Sequence, residues 1–246
     1  MITSIPGWDS RLPWLRAGIT RRGFGSCEQA ETRGRADPDP AGGAAAALLK
    51  AGWRSVVRSR QVHGSVTRVH ANPPAGESVL GDGDGHVTRT AGTLLTVTLA
   101  DCVPVFLADP VHGAVALLHA GWRGTGAGVL ERGLDVMASA FRSAPADVFL
   151  HLGPAICGRC YEVGPEVFAA LGETPQPGPA PVDLRGVIRR RAIGAGVRDE
   201  RLSVNRECTL CGDGRYFSHR RGDTGRHLGF VGILPESGRH VQRRPA

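Results

Sequence analysis

Lysine is nearly absent. Lys50 is the single lysine among 30 basic residues, against 23 acidic ones, so arginine carries almost all of the net charge of +7. A basic balance can mark a nucleic-acid or anionic partner. Here the arginines are scattered, with no run longer than Arg189-Arg190-Arg191. With 35 glycines they read as the codon bias of a GC-rich genome, and no nucleic-acid partner is expected. A long apolar run is also missing. The stretch around Thr93 to Ala100 falls short of the ~18 residues that span a bilayer, so no membrane partner is expected. Met1 to Trp14 lacks a basic region followed by an apolar core. It does not read as a secretory signal, and the expected location is cytoplasmic.

What is present is an ordinary globular composition, 41% apolar, with six cysteines. In a reducing compartment, paired cysteines point to metal binding or catalysis rather than to structural disulfides. The 246 residues are enough for a sizeable core. Residues 31 to 43, rich in Gly, Pro and Asp, predict a loop, Ala44 to Lys50 a helix stopped by Gly52. Strands are expected over Ser55 to Val62 and Val66 to His70, and a Gly/Asp-rich loop over Gly76 to Gly85. Thr93 to Leu99, Val103 to Ala108 and Ala114 to Leu118 are apolar, β-branched runs that read as buried strands. Gly121 to Gly128 predicts a loop. Val129 to Phe141 carries Leu130, Leu134, Met137 and Phe141 on one helical stripe. Further expectations are strands at Val148 to Leu152, Tyr216 to Ser218 and His227 to Ile233. Helices are expected at Pro165 to Leu171 and Val182 to Ala195, with a proline-rich loop between, and a disordered tail from about Gly238. Strands and helices without strict alternation suggest an α/β or α+β domain.

Three polar residues sit at expected strand ends: His63, Cys102 and His119. Ligands collect at strand ends in α/β sheets. Two imidazoles and a thiolate make a three-ligand zinc set with one position open, able to polarise a substrate oxygen. The bland alternatives are a buried cysteine behaving as a small hydrophobe and histidines that are merely hydrogen-bonded. Glycines after His119 allow close backbone approach. A second pattern is the pair of C-x-x-C motifs, Cys157/Cys160 and Cys208/Cys211. They suit a structural zinc, a redox dithiol or unpaired buried cysteines. Arg60, Arg123 and Arg220 are candidates for gripping a phosphate.

Several segments occur in one order: Gln61-Val62-His63-Gly64, Ala100-Asp101-Cys102-Val103-Pro104-Val105, His119-Ala120-Gly121-Trp122-Arg123-Gly124-Thr125, Gly153-Pro154-Ala155-Ile156, Cys160-Tyr161-Glu162-Val163-Gly164, Cys208-Thr209 and Phe217-Ser218-His219-Arg220-Arg221. Together they resemble the laccase-domain family, also called the multicopper polyphenol oxidase or peptidoglycan editing factor family. The resemblance runs from about Gly18 to Ile233. It implies layered mixed β-sheets flanked by helices, in one domain over 1–246. It also implies metal ligation by His63, Cys102 and His119, with zinc as the ion and copper as the alternative. The implied activity is purine nucleoside phosphorolysis with adenosine deamination. The implied substrates are phosphate and adenosine, inosine, guanosine or methylthioadenosine, acted on by a monomer or homodimer. Deamination calls for a carboxylate proton carrier, Asp101 or Glu162. Three positions depart from the family pattern: His86, which could reach the pocket, and Cys157 and Cys211, which complete the two C-x-x-C pairs.

A true multicopper oxidase needs about ten histidines, partly as H-x-H pairs. This chain has nine and no such pair, so one metal ion is the expectation. Rival readings are a copper-dependent polyphenol oxidase, a non-catalytic purine-binding module, and a cysteine hydrolase acting on peptidoglycan precursors. In the hydrolase Cys102 is the nucleophile, His119 the base, and Asp101 or His63 the orienter.

Overall fold

A computed structural model describes residues 2–24 and 42–235. In chain order the strands are β1 (Ile2–Ser4), β2 (Leu15–Thr20), β3 (Ser55–Arg60), β4 (Thr67–His70), β5 (Gly76–Asp82), β6 (Gly85–Thr88), β7 (Thr93–Leu99), β8 (Val103–Asp109), β9 (Ala114–Ala120), β10 (Phe149–Leu152), β11 (Glu162–Val163), β12 (Ala180–Pro181), β13 (Leu202–Val204) and β14 (His227–Ile233). The helices are α1 (Trp8–Arg11), α2 (Gly42–Lys50), α3 (Trp122–Gly126), α4 (Val129–Phe141), α5 (Pro165–Leu171) and α6 (Leu184–Gly194).

Two six-stranded mixed sheets form the frame. One has the order β1-β2-β14-β7-β3-β5, the other β13-β10-β8-β9-β6-β4. The sheets stack face to face. Val57, Leu95, Val97 and Val231 of the first meet Phe106, Ala108, Val115 and Leu117 of the second. The other face of the second sheet presents Val103, Val105, Leu107, Ala116 and Leu118 to Leu130, Leu134 and Met137 of α4 and to Val187 and Ile188 of α6. The outer face of the first sheet carries Val56, Leu94 and Phe230, with Leu48 of α2 against it. The result is the expected α/β fold of layered sheets flanked by helices. Its central strands are buried on both faces, which is why they read as unbroken apolar runs. Residues alternate faces along a strand. In β9, Val115 and Leu117 point between the sheets, and the same parity puts His119 at the end of that inter-sheet row.

Three sequence expectations change. Gly76 to Gly85 is not a loop, because Gly76–Asp82 pairs in parallel with β3 along the sheet edge. Edge pairing there outweighs an unfavourable composition. Gly121 to Gly128 contains the short helix α3. Tyr216 to Ser218 forms no strand; the Phe217 N–H is taken by His227 Nε2 and the Ser218 N–H by Asp223 at 2.8 Å. The expected tail from Gly238, and all but the last two residues of the loop at 31 to 43, lie outside the described residues. No helix among the described residues is long and apolar enough to cross a membrane.

Candidate metal centre and active site

The seam between the two sheets brings His63, Cys102 and His119 together. His63 follows β3 in the first sheet. Cys102 lies in the crossing from β7 to β8, and His119 stands on β9 in the second sheet. One donor atom from each lies within 4.8 Å of the others. The two imidazole rings meet edge to face at 4.8 Å between centroids.

Local backbone geometry sets these side chains. His63 and Asp101 both adopt left-handed conformations, with φ of 58° and 79°. Non-glycine residues rarely do so, and Asp and His tolerate it better than most. The turn at His63 is held by Asp84, which is fully buried. Asp84 Oδ1 accepts the His63 N–H at 3.0 Å, and Oδ2 accepts those of Val62 at 3.2 Å and Gly64 at 2.8 Å. Gln61 fastens the same turn to β7. Its amide donates to the Thr98 carbonyl at 2.9 Å, and its oxygen accepts the Thr98 N–H at 2.7 Å. The turn at Asp101 is held from the other side. Its carboxylate accepts the Thr209 hydroxyl, the Ser218 hydroxyl at 3.0 Å and the Arg220 N–H at 2.7 Å. Gly121 is required by close packing, since a Cβ there would lie 3.0 Å from both Cys102 Sγ and His63 Cδ2.

Asp84 also receives His119 Nδ1 at 2.8 Å. That bond fixes the tautomer with Nε2 free as a donor to a cation, the usual carboxylate–histidine support of a metal ligand. The charges agree with a cation site. Burial pushes the Cys102 thiol up, but the adjacent His119 and His63 pull it further down, to about 6. Burial disfavours charge on His119, yet the Cys102 thiolate and Asp84 outweigh it and lift the imidazole to about 9. Without metal, the cluster draws a proton onto His119 to balance two buried anions. A divalent cation bound by Cys102 Sγ and two imidazoles satisfies the same demand, and this donor set suits zinc.

The cluster lines a cavity of about 400 Å³, together with Asp101, Trp122, Arg123, Tyr161, Arg220 and Arg226. The volume falls in the usual range for small-molecule sites. The Arg123 guanidinium sits 4.3 Å over the Trp122 ring, and Arg220 sits 5.3 Å over Tyr161 while donating twice to the Glu162 carbonyl. Burial and the nearby Cys102 push the Tyr161 phenol to about 12, so it is a hydrogen-bond donor.

The remaining sequence candidates fare unevenly. Arg60 does not line this cavity; its side chain is 73% exposed and paired with Asp82. Asp101 lines the cavity, and its carboxylate accepts three hydrogen bonds. Glu162 lies outside the lining. His86 does not reach the cavity either; it is buried against His70, ring nitrogen to ring nitrogen at 2.9 Å. Asp84 had no role assigned from sequence. A buried metal-binding imidazole needs a carboxylate or carbonyl behind it, and Asp84, two residues before His86, is the one that serves. The four cysteines of the C-x-x-C motifs also converge, with their sulfurs within 4.8 Å of one another.

Two stacked mixed sheets of this kind are already represented among solved bacterial structures. The chain is similar to the hypothetical protein YfiH of Bacillus licheniformis, with a TM-score of 0.81, 26% identity and coverage of 94% of this chain and 96% of that one. It is also similar to YlmD of Geobacillus stearothermophilus, with a TM-score of 0.80, 30% identity and coverage of 90% and 92%. A family model described as multi-copper polyphenol oxidoreductase laccase matches residues 41–234, and the chain belongs to that family. Sequence relatives carry a different description. A protein of G. stearothermophilus named purine nucleoside phosphorylase YlmD is 38% identical over 166 residues, which are 62% of this chain and 61% of that relative. A purine nucleoside phosphorylase of Mycobacterium bovis is 39% identical over 232 residues, covering 88% of this chain and 90% of the relative.

Proposed function

We propose that this chain is a metal-dependent purine nucleoside phosphorylase that also deaminates adenosine, working at His63, Cys102 and His119. The observation that carries the reading is the His–Cys–His cluster in the wall of a cavity that also presents arginines and aromatic rings. The names of the relatives support the phosphorolysis part of this reading. Zinc held by the three ligands would supply a Lewis acid beside the reacting atoms.

The other roles belong to the chain itself. Arg220 and Arg123 bind the phosphate through charge-assisted hydrogen bonds, each guanidinium held flat on an aromatic ring. Trp122 and Tyr161 give the purine an apolar face, and the Tyr161 hydroxyl donates to the departing base. Asp84 orients His119, and Asp101 positions Cys102 by holding the turn before it. Asp84 accepts four hydrogen bonds and Asp101 three, and His219, the cavity imidazole outside the ligand set, carries the proton that deamination needs. The substrates are adenosine, inosine, guanosine and methylthioadenosine, and the setting is the cytoplasm.

Polyphenol oxidation by several coppers lacks ligands. Among the described residues the only other His/Cys/Asp/Glu group placed to hold a metal is made wholly of cysteine. A cysteine-hydrolase reading has one specific observation in its favour: Asp84, His119 and Cys102 form a carboxylate–imidazole–thiol series, with Asp84 in the orienting role expected of Asp101 or His63. The deciding experiment incubates metal-quantified protein with adenosine and phosphate and separates adenine, inosine and ribose-1-phosphate by chromatography. Phosphate-dependent adenine release, lost on chelation and regained with zinc, is the expected result. Turnover that survives a strong chelator but not a thiol alkylator overturns the metal reading in favour of the hydrolase.

A further inference from the structure

Away from the cavity's His–Cys–His cluster, two loops bring four cysteine sulfurs together. Cys157 and Cys160 lie between β10 and β11, and Cys208 and Cys211 between β13 and β14. All four are free thiols, with sulfurs within 4.8 Å of one another. The Cys157 and Cys211 sulfurs are 3.8 Å apart. Zinc–thiolate bonds of about 2.3 Å in a tetrahedron place neighbouring sulfurs about 3.8 Å apart. Backbone amides already point at one of the sulfurs: Cys208 Sγ accepts the N–H of Cys157 at 3.2 Å and of Cys211 at 3.4 Å.

Guanidinium groups gather beside the sulfurs. Arg159, Arg185, Arg189 and Arg206 line the groove beside the cluster. Arg185 is buried and donates to the carbonyls of Asn205 and Glu207; burial pulls its pKa down, with Asp183, Cys208 and Cys157 opposing that shift. No imidazole or carboxylate joins the group, and four thiolates close a coordination sphere without leaving a side for substrate.

We propose that Cys157, Cys160, Cys208 and Cys211 bind a structural zinc ion that staples these two loops together. The inference stands independently of the activity proposed for the cavity. The staple acts at a strategic place. Ile156 and Tyr161 on the first loop line the cavity, and so do His219 and Arg220 on the second. An isolated bridge joins Ala155 to Cys208, and the next residue, Thr209, donates to the Asp101 carboxylate. Fixing the cysteines therefore fixes the cavity wall that carries Tyr161 and Arg220. Binding exchanges each thiol proton that is still present for a zinc–sulfur bond, with no change in oxidation state.

The test counts metal in the full-length protein, produced with zinc and desalted, by plasma mass spectrometry. The wild type is expected to hold two zinc ions per chain, C102A one, and the double variant C157S/C211S one, with no thiolate-only site left. If C157S/C211S does not fold, cobalt decides on C102A. Tetrahedral all-thiolate cobalt gives intense sulfur-to-metal charge transfer and visible ligand-field bands. These are expected at one equivalent, and zinc should bleach them. Overturning results are C102A with no tightly held zinc, iron in its place, or no all-thiolate cobalt spectrum. Intact mass after alkylation of the unreduced, denatured chain gives a further check. Cysteines 157, 160, 208 and 211 resisting alkylation as disulfides would also overturn the proposal.

Discussion

The chain carries two cysteine-containing clusters built on opposite plans. In the cavity cluster, one thiol and two imidazoles project from the ends of two sheets, with the buried carboxylate of Asp84 behind them. In the distal cluster, four thiols project from two loops, with arginines around them. Three donors beside a cavity leave a face for substrate. Four donors enclose an ion and leave none. The supporting charge differs with the ligands: the His119 imidazole takes a carboxylate that fixes its tautomer, and the four sulfurs have arginines beside them. Of the cavity donors His119 stands on a strand and His63 and Cys102 on turns at strand ends, whereas all four thiols of the distal cluster lie on loops.

The largest test of this contrast is C102A. It should lose the cavity metal and reduce phosphorolysis to background while keeping the fold, read by metal analysis, turnover and circular dichroism. Unchanged metal content relative to the wild type would remove the cavity site. D84N comes next. It keeps the shape but weakens the support of His119 and the turn at His63, so metal affinity or kcat/KM should fall roughly 10- to 100-fold. C157S/C211S should lower Tm by several degrees and raise KM more than it lowers kcat, because the cavity wall loosens while the cavity ligands stay. A smaller effect is expected from R220A, roughly tenfold in KM for phosphate, since charge-assisted hydrogen bonds are worth about 1.5–3 kcal/mol when shielded and Arg220 is exposed. R60A should leave KM unchanged. Equal losses in R60A and R220A would show that phosphate is steered by general charge rather than gripped.

A further effect concerns neither cluster. His70 and His86 form a buried histidine pair with no metal role. Burial pulls their pKa values down, to about 4 and about 3, with Arg68 adding to the effect on both and His70 to that on His86. Both are neutral in the fold, whereas in the unfolded chain they protonate near pH 6.5. Below that pH the unfolded state binds more protons, so stability should fall from about pH 6.5 down toward pH 3–4 and level off beneath. Urea midpoints across that range, with and without chelator, measure this decline apart from metal loss. A flat profile would show the pair to be accessible to solvent.

Much of this organisation was readable from residue order. The runs from Thr93 to Ala120 announced the buried strands because both of their faces are covered, and the motif order pointed to His63, Cys102 and His119. What escaped was decided by contacts between distant segments. Gly76 to Asp82 has the composition of a loop and becomes a strand only because β3 offers it a parallel edge. Gly121, Gly124 and Gly126 suggested a loop, yet they are small for packing inside α3. A Cβ on Gly126 would lie 2.8 Å from the Ala170 carbonyl. Asp84 sits in a stretch that looks solvent-exposed, and only the folded chain shows it taking three backbone N–H groups and one imidazole. Asp101 drew attention as a reactive carboxylate. Its partners Thr209, Ser218 and Arg220 stand more than a hundred positions away and turn it into an anchor.

The seam position of the cavity cluster has a consequence for how the molecule matures. His63 and Cys102 are 39 positions apart, and Cys102 and His119 are 17 apart. In the unfolded chain no two of these donors are neighbours. His63 belongs to one sheet and His119 to the other, so the full set exists only after the sheets have docked. Capture of the ion is then the closing event of folding rather than its seed. During refolding, the cavity cluster should load after the apolar layer between the sheets has become protected from hydrogen exchange.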